Sequence, residues 1–526
     1  MTPLRLAWRS VRRGTAAWSA VVLVSMTTGA SVYRAAYPTE AARQKFAASF
    51  GSSRGLDALY GRAENLHTVG GFLWWRYGAT LAVVVALWGV LSTTRMLRGD
   101  EENGRTELLL AGPISPRSLM ARQTAAIASS CAVIAIAAFV ACTAARLSVA
   151  SSVLYALAIL LAGWAFAALA ALVCQVTRTR RRAAGVTGAV LGIAYLVRAV
   201  ADGAPHLHWV GWASPLGWVE RISPFGARHS WLAVGLLLSL AVTALAGAVA
   251  LRARRDAGDS AINAVEREGR LRSVRSLPAL DTVLNRGSFF GWTAAACITG
   301  LLLGFIAADI ASSVADNATL DHRTSNLTGA SIASVRGFVG LSFAVVAVVA
   351  ALYGGAQLIS ARSQESEGRL STLLTSGATR RHWLLVRLAF AVGAVVSVTM
   401  LAGLAMWAGV RLSGQAFPFV DSLRGAVNTL PVSLLYMSLA MLAFGLAPRA
   451  VSAVAYGAVT ASYALLIVTA LGNAPRWLID MSPLSHLAPV PASSANLGAS
   501  FVMLALALVA GGVGALRFDR RDVEGE

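Results

Sequence analysis

Lysine is nearly absent from this chain. Lys45 is the only one in 526 residues, and it follows Gln44, so the chain contains no Gly-Lys-Ser or Gly-Lys-Thr. A P-loop needs that lysine, because its ammonium contacts the nucleotide phosphates. ATP hydrolysis of the P-loop kind is therefore excluded for this polypeptide. Charge is scarce as well. Asp, Glu, Lys and Arg make up 13%, where a soluble domain carries about a quarter. The four cysteines, Cys131, Cys142, Cys174 and Cys297, lie in apolar stretches without CxxC or metal-ligand spacing. They read as small core residues, which excludes a disulfide framework or a thiolate cluster. HExxH does not occur. His206 and His208 stand two apart, but Pro205 and Trp209 flank them, and the segment reads as an interfacial loop. No catalytic residue, no metal site and no cofactor bound by this chain is expected.

What the chain has is long apolar runs. Hydrophobic residues make up 56%, and the mean hydropathy is +0.63. The blocks Trp18–Val32, Gly78–Val90, Ile127–Ala145 and Val153–Val173 set the scale. A hydrocarbon layer of about 30 Å takes about 20 helical residues, and inside it only helices or closed barrels satisfy the backbone. These runs are continuous and do not alternate, so they predict helices. The expected fold is all-α and integral to the membrane, with about twelve spans: 16–33, 77–95, 121–144, 150–174, 184–200, 231–251, 290–311, 338–359, 384–409, 427–447, 450–471 and 498–516. The first apolar block is too long for a cleavable signal peptide, and none is expected.

The formal charge of +20 suggests nucleic acid until the basic residues are located. They cluster between apolar blocks, which is a topology signal and excludes a nucleic-acid footprint. With the N-terminus inside, 30 of the 45 basic residues fall on the cytoplasmic side. Both termini are expected in the cytoplasm of a multi-pass cell-membrane protein. The stretch 4–13 mixes apolar and basic residues at helical spacing. It reads either as a helix lying on the inner leaflet or as a plain basic flank.

The chain also repeats itself. Arg98, Glu101, Gly104, Arg105, Leu109, Leu110 and Arg117 recur as Arg362, Glu365, Gly368, Arg369, Leu373, Leu374 and Arg381, each at an offset of 264. Ser214-Pro215-Leu216 answers to Ser482-Pro483-Leu484, and Leu251-Arg252 to Leu516-Arg517. The matches fall mainly in polar segments, where chance similarity between apolar helices does not apply. The expected organisation is two tandem six-helix units with pseudo-twofold symmetry, 1–251 and 287–526, joined by a charged cytoplasmic linker, 252–286.

Each copy of the motif follows the second helix of its unit. Glu101 with Arg105, and Glu365 with Arg369, stand four apart with the acid first, a favourable helical pair. Leu109-Leu110 and Leu373-Leu374 form an apolar ridge. Gly112-Pro113 and Gly377 break the chain. Ser115-Pro116 then reads as an N-cap with proline at N1, and Thr379 as the second cap. A short helix with ionic groups and an exposed pair of leucines suits docking to a soluble partner. The plainer reading is a charged connector; two copies at one fixed spacing favour docking.

Arg-x-x-Glu-x-x-Gly-Arg-x-x-x-Leu-Leu, followed by a break and a basic residue, resembles the segment after the second helix in type-2 ABC exporter permeases. The resemblance implies that Glu101, Gly104, Arg105, Leu109, Leu110, Arg117, Glu365, Gly368, Arg369, Leu373, Leu374 and Arg381 form coupling helices. These would seat in grooves of two copies of a separate ABC ATPase, which would hold the ATP and Mg. The fused double unit, with Asp57-Ala-Leu-Tyr60-Gly61, Gly70-Gly71-Phe72 and Ser214-Pro-Leu-Gly-Trp218, is similar to a narrower group of permeases described as exporters of polyketide antibiotics. That implies a bulky, apolar small-molecule substrate. The second half departs from the pattern: Leu-Tyr-Gly has no counterpart in 312–336, and Ser376-Gly377 replaces Gly112-Pro113.

Two alternatives are an ion-gradient carrier and a non-transporting scaffold or sensor. A carrier needs ionisable groups within the spans. Arg198, with Asp202, and Asp309 lie near span ends, where snorkelling reaches the interface. Among the aromatics, Trp75, Trp88, Phe343 and Tyr353 are candidates for lining a substrate pathway, against the plainer reading of helix packing.

Overall fold

The computed structural model of the chain describes residues 3–51, 54–203, 205–253, 276–315, 331–375, 377–471, 477 and 480–522. The chain divides into two compact units, Met1–Glu266 and Arg267–Glu526. The boundary falls within the segment read as a linker, most of which lies outside the described residues.

Among the described residues every regular element is a helix. Unit 1 runs α1 (Pro3–Ala36), α2 (Glu40–Phe50), α3 (Arg54–Tyr60), α4 (Val69–Glu102), α5 (Arg105–Leu110), α6 (Pro116–Ala144), α7 (Val149–Val176), α8 (Arg180–Gly203), α9 (Pro215–Ile222) and α10 (Trp231–Arg252). Unit 2 runs α11 (Leu277–Phe305), α12 (Val335–Ser366), α13 (Arg369–Thr375), α14 (Arg380–Leu412), α15 (Phe419–Leu446), α16 (Val451–Leu471) and α17 (Leu497–Arg520). Eleven helices are long and apolar enough to cross a membrane among the described residues. The remaining expected span, 450–471, the eleventh in order, is the helix α16, but its last residues have no described side chains.

Several helices outrun their expected limits. The basic flank 4–13 is continuous with the first span inside α1, so it is not a separate surface helix. The helix α11 begins at Leu277, within the expected linker. Hydropathy marks the hydrocarbon crossing, whereas the backbone ladder continues for as long as polar side chains reach water.

The outward faces are apolar. Leu497 and Leu508 are each 77% exposed, a surface that suits lipid and not water. Inside each unit small residues set the helix spacing, as is common in membranes. Gly300 and Gly304 of α11 lie against the backbone of α14 at Ala402 and Met406, and Gly409 of α14 lies against Leu301. In unit 1, Gly89 of α4 packs on Gly163 of α7. Polar nodes join helices too. The Ser130 hydroxyl of α6 meets Thr15 of α1 at 2.6 Å and accepts the Trp88 indole N–H of α4 at 2.8 Å.

The segment between α1 and α4 is anchored to the bundle. The Arg198 guanidinium donates to the carbonyls of Ala58 (2.8 Å) and Leu59 (3.1 Å), pairs with Asp202 at 3.4 Å and stacks on Tyr195. Its side chain is 1% exposed. The expected snorkelling of Arg198 is therefore corrected: backbone carbonyls of α3 replace the water it would have reached.

Candidate functional site

At the end of α4 the helix widens into a π turn, Arg95–Gly99, just before the repeated motif. Such turns redirect side chains and recur at functional positions. Arg98 is buried there. Its Nε donates to the Cys174 carbonyl at 2.6 Å, and its NH1 meets the Glu101 carboxylate at 2.7 Å. The other Glu101 oxygen lies 3.6 Å from Arg252, the last residue of α10. One carboxylate thus ties α4 to α7 and α10.

Unit 2 repeats the arrangement. The Glu365 side chain is fully buried and accepts both guanidinium arms of Arg521, each at 2.7 Å. Arg362 lies 3.4 Å away. The Arg521 guanidinium also sits 5.3 Å from the ring centres of Phe444 and of Phe518. In both units, then, the motif glutamate is held between an arginine three residues before it and one at the end of the unit's last helix. A bidentate arginine–carboxylate pair fixes geometry as well as charge.

Gly104 and Gly368 have φ of +70° and +71°. Their N–H groups bond to the Glu101 and Glu365 carbonyls at 3.1 Å. This left-handed conformation favours glycine, and it ends one helix and starts α5 or α13. The expected pairing of Glu101 with Arg105, and of Glu365 with Arg369, is therefore corrected, because the glycine turn removes the continuous helix it required. Arg105 approaches Asp100 at 3.6 Å, and Arg369 pairs with Glu367. Both arginines point outward.

The leucines differ from expectation in the same way. Leu109 and Leu110 are half-buried, as are Leu373 and Leu374, which pack on the core of unit 2. The exposed apolar side chain is Leu108, at 78%. Its counterpart at the 264 offset is the exposed Thr372. Leu108 was missed because matching the two copies discards whatever they do not share. Arg98 and Arg362 were visible as the first identities of the repeat, and Arg252 lay in its own landmark. Nothing in the pattern said that these basic ends would meet the motif acids.

The caps are as expected. The Ser115 hydroxyl accepts the Ser118 N–H at 3.2 Å, and Thr379 accepts that of His382 at 3.3 Å. Arg117 is exposed, and Arg381 pairs with Asp519 at 2.8 Å.

The four candidate pathway aromatics sit apart from the motif. Trp75, Phe343 and Tyr353 are buried. Trp75 meets Tyr60 edge-on at 5.2 Å, and Tyr353 lies 5.8 Å from Trp292. Trp88 is half-buried on its Ser130 bond. An apolar cavity of about 240 Å³ opens on the flank of unit 1, between α4, α6, α7 and α10. Ile127, Trp164, Leu238, Ala241, Val242 and Leu245 line it, and Leu238 and Val242 are 45% and 57% exposed.

At the other end of unit 1 the α9 carboxylate of Glu220 is buried against Gly61. It faces a cavity of about 130 Å³ lined also by Arg62, Glu64, Asp202, His208 and Arg221. Among the described residues neither of its oxygens has a hydrogen-bond partner. Burial, then the Asp202 charge, pushes its pKa up to about 8. Among the described residues no group of three His, Cys, Asp or Glu side chains is placed to hold a metal ion.

Comparison with known proteins gives this architecture a place. Residues 1–252 and 275–519 match the family described as "Multidrug efflux system permease Rv1217c, C-terminal domain". The chain is similar to the Multidrug efflux system permease protein Rv1217c of Mycobacterium tuberculosis (strain ATCC 25618 / H37Rv). The two are 30% identical over 532 residues, covering 99% of this chain and 94% of that one. With apolar helices of membrane-spanning length in both units and this match along nearly its whole length, the chain belongs to that family of multi-pass membrane efflux permeases.

Proposed function

We propose that the chain is the membrane-spanning subunit of an ABC-type exporter, driven by two copies of a separate ATPase that bind ATP and Mg. The ATPases dock in the cytoplasm on α5 and α13, with both termini of the permease on that side. The observation that carries this reading is the duplicated carboxylate clamp, Glu101 and Glu365 at a spacing of 264, each bracing the end of the span just before a short helix against the last helix of its unit. A pull on α5 or α13 would pass through the clamp into the spans without the slack of an exposed loop. Exposed Leu108, Glu107 and Arg105 form the docking face of α5; Arg117 and Arg381 flank the two docking segments. The substrate is a bulky, apolar small molecule of the drug or antibiotic type. The apolar cavity beside Trp164 supports that class, and Trp75, Trp88, Phe343 and Tyr353 supply ring surfaces once the bundle opens.

The test is purification of the full chain from its native membranes, with assay of ATP hydrolysis in whatever co-purifies. Leu108→Asp together with Thr372→Asp alters the docking faces without touching a buried contact. Loss of an ATPase from the preparation, with an unchanged unfolding midpoint, is expected. Absence of any ATPase in the wild-type preparation, or its retention at equal yield by the double variant, sinks the docking assignment.

A further inference from the structure

At the opposite end of α4 from the clamp lies a polar cavity of about 610 Å³. Arg34, Arg43 and Arg146 line it, with His67 and His229, against a single carboxylate, Glu40. Two of these arginines mark the depth of the site. Arg34 is in the last turn of α1, and Arg146 is in the turn between α6 and α7. Both therefore lie where spans end, at the boundary between hydrocarbon and water. On the topology proposed above this is the outer boundary, where arginine is disfavoured and needs a local reason.

The geometry supplies one. Arg146 has φ +55°, a conformation that costs a non-glycine residue about 1 kcal/mol or more. Its N–H and that of Leu147 close the end of α6 onto Thr143 and Cys142 at 2.8 and 3.2 Å. That is the position at which glycine usually stands. An arginine is held there at a backbone cost, and its guanidinium has no hydrogen-bond or ion-pair partner among the described residues. Arg34 donates to the Ala145 carbonyl beside it, and Arg43 donates to Tyr37 and Pro38 at 2.9 and 3.2 Å. These bonds orient two more guanidiniums around the same space. The N-terminus of the 28-residue α7 opens onto it as well, with Ser148 and Ser151 in the lining. Guanidiniums and helix N-termini share one preferred ligand, a phosphate oxygen.

We propose that this cavity binds a phosphate group, carried by a phospholipid headgroup from the adjoining leaflet or free in solution. A bound headgroup would bridge α1, the α6–α7 turn and the segment 40–70. The site does not require an ATPase partner, so it stands or falls separately from the docking assignment.

The experiment uses the full chain in dodecyl maltoside, which has no phosphate. Phosphatidylglycerol, inorganic phosphate and diacylglycerol are added in turn, and binding is read by native mass spectrometry and by the unfolding midpoint. Phosphatidylglycerol is expected to bind and raise the midpoint, and diacylglycerol to do neither. Arg146→Gly relieves the backbone, so its unliganded midpoint should be equal or higher, while phosphatidylglycerol affinity falls roughly tenfold, the loss of about 1.4 kcal/mol. Arg34→Gln/Arg146→Gly should abolish the midpoint shift. Displacement of phosphatidylglycerol by inorganic phosphate would make the phosphate itself the ligand; no displacement would make the ligand a lipid. Equal binding of diacylglycerol, or unchanged phosphatidylglycerol affinity in Arg146→Gly, would overturn the proposal.

Discussion

The fully buried Glu365 and the largely buried Arg521 meet through two parallel hydrogen bonds, whereas Arg381 and Asp519 meet at the surface. Removing one partner of a buried pair leaves the other charge stranded and costs about 3–5 kcal/mol. An exposed pair contributes about 1 kcal/mol or less. Glu365→Gln is therefore expected to lower the unfolding midpoint sharply and Arg381→Gln hardly at all. A double-mutant cycle of Glu365→Gln and Arg521→Gln should show coupling on the order of 1–3 kcal/mol; additive effects would argue against the clamp. Glu220 offers a test through pH. Its pKa is pushed up to about 8, from 4.5, so the folded chain holds this proton more tightly than the unfolded one. The stability contributed by the proton is complete below about pH 4.5 and is lost as pH rises through about 8. Glu220→Gln keeps the shape and stays neutral. It should match the parent chain near pH 4.5 and unfold at higher temperature above about pH 8, measured by tryptophan fluorescence in detergent.

At the scale of elements, the glycine turn and the cap decide where each proposed docking helix begins and where the next span starts. Among the described residues nothing lies within 4 Å of where a Cβ at Gly104 would stand, so Gly104→Ala meets no clash there and pays only for its backbone, about 1 kcal/mol. Its expected signature is a small midpoint loss with a larger loss of ATPase coupling, because α5 is re-aimed. Ser115→Ala should cost about 1 kcal/mol through the lost cap, seen as faster hydrogen exchange confined to the start of α6. This element was largely legible beforehand. Ser115 and Thr379 could be placed as caps because capping is local, set by residues within one turn. The partners of Glu101 and Glu365 could not, because Arg252 and Arg521 reach them across 151 and 156 positions of chain. The aromatic positions were ambiguous for a similar reason: a ring on an apolar helix looks the same in sequence whether it faces a pathway or a neighbouring helix. Helix ends were misplaced wherever polar residues continued a helix beyond the hydrocarbon, as at Pro3 and Leu277.

For the whole molecule, the spans were legible because hydrocarbon imposes one long-range rule on every segment that enters it. The proposed power source makes a distinct forecast there. Reconstituted with its ATPase, the chain should export an apolar dye with ATP alone and continue when a protonophore collapses the proton gradient; transport that stops with the gradient would favour an ion-coupled carrier. The two clamps also differ in a way that matters beyond energetics. In unit 1 the closing arginine is the last residue of its helix, Arg252; in unit 2 it is Arg521, one residue past Arg520. Likewise, exposed Leu108 in one copy corresponds to Thr372 in the other. A homodimer cannot vary like this, since each mutation appears in both halves at once. Fusion within one gene frees each half to drift separately, so the two proposed docking helices can evolve unequal grips on the identical partners proposed for them, and one of them can become the first to be occupied and the last to let go.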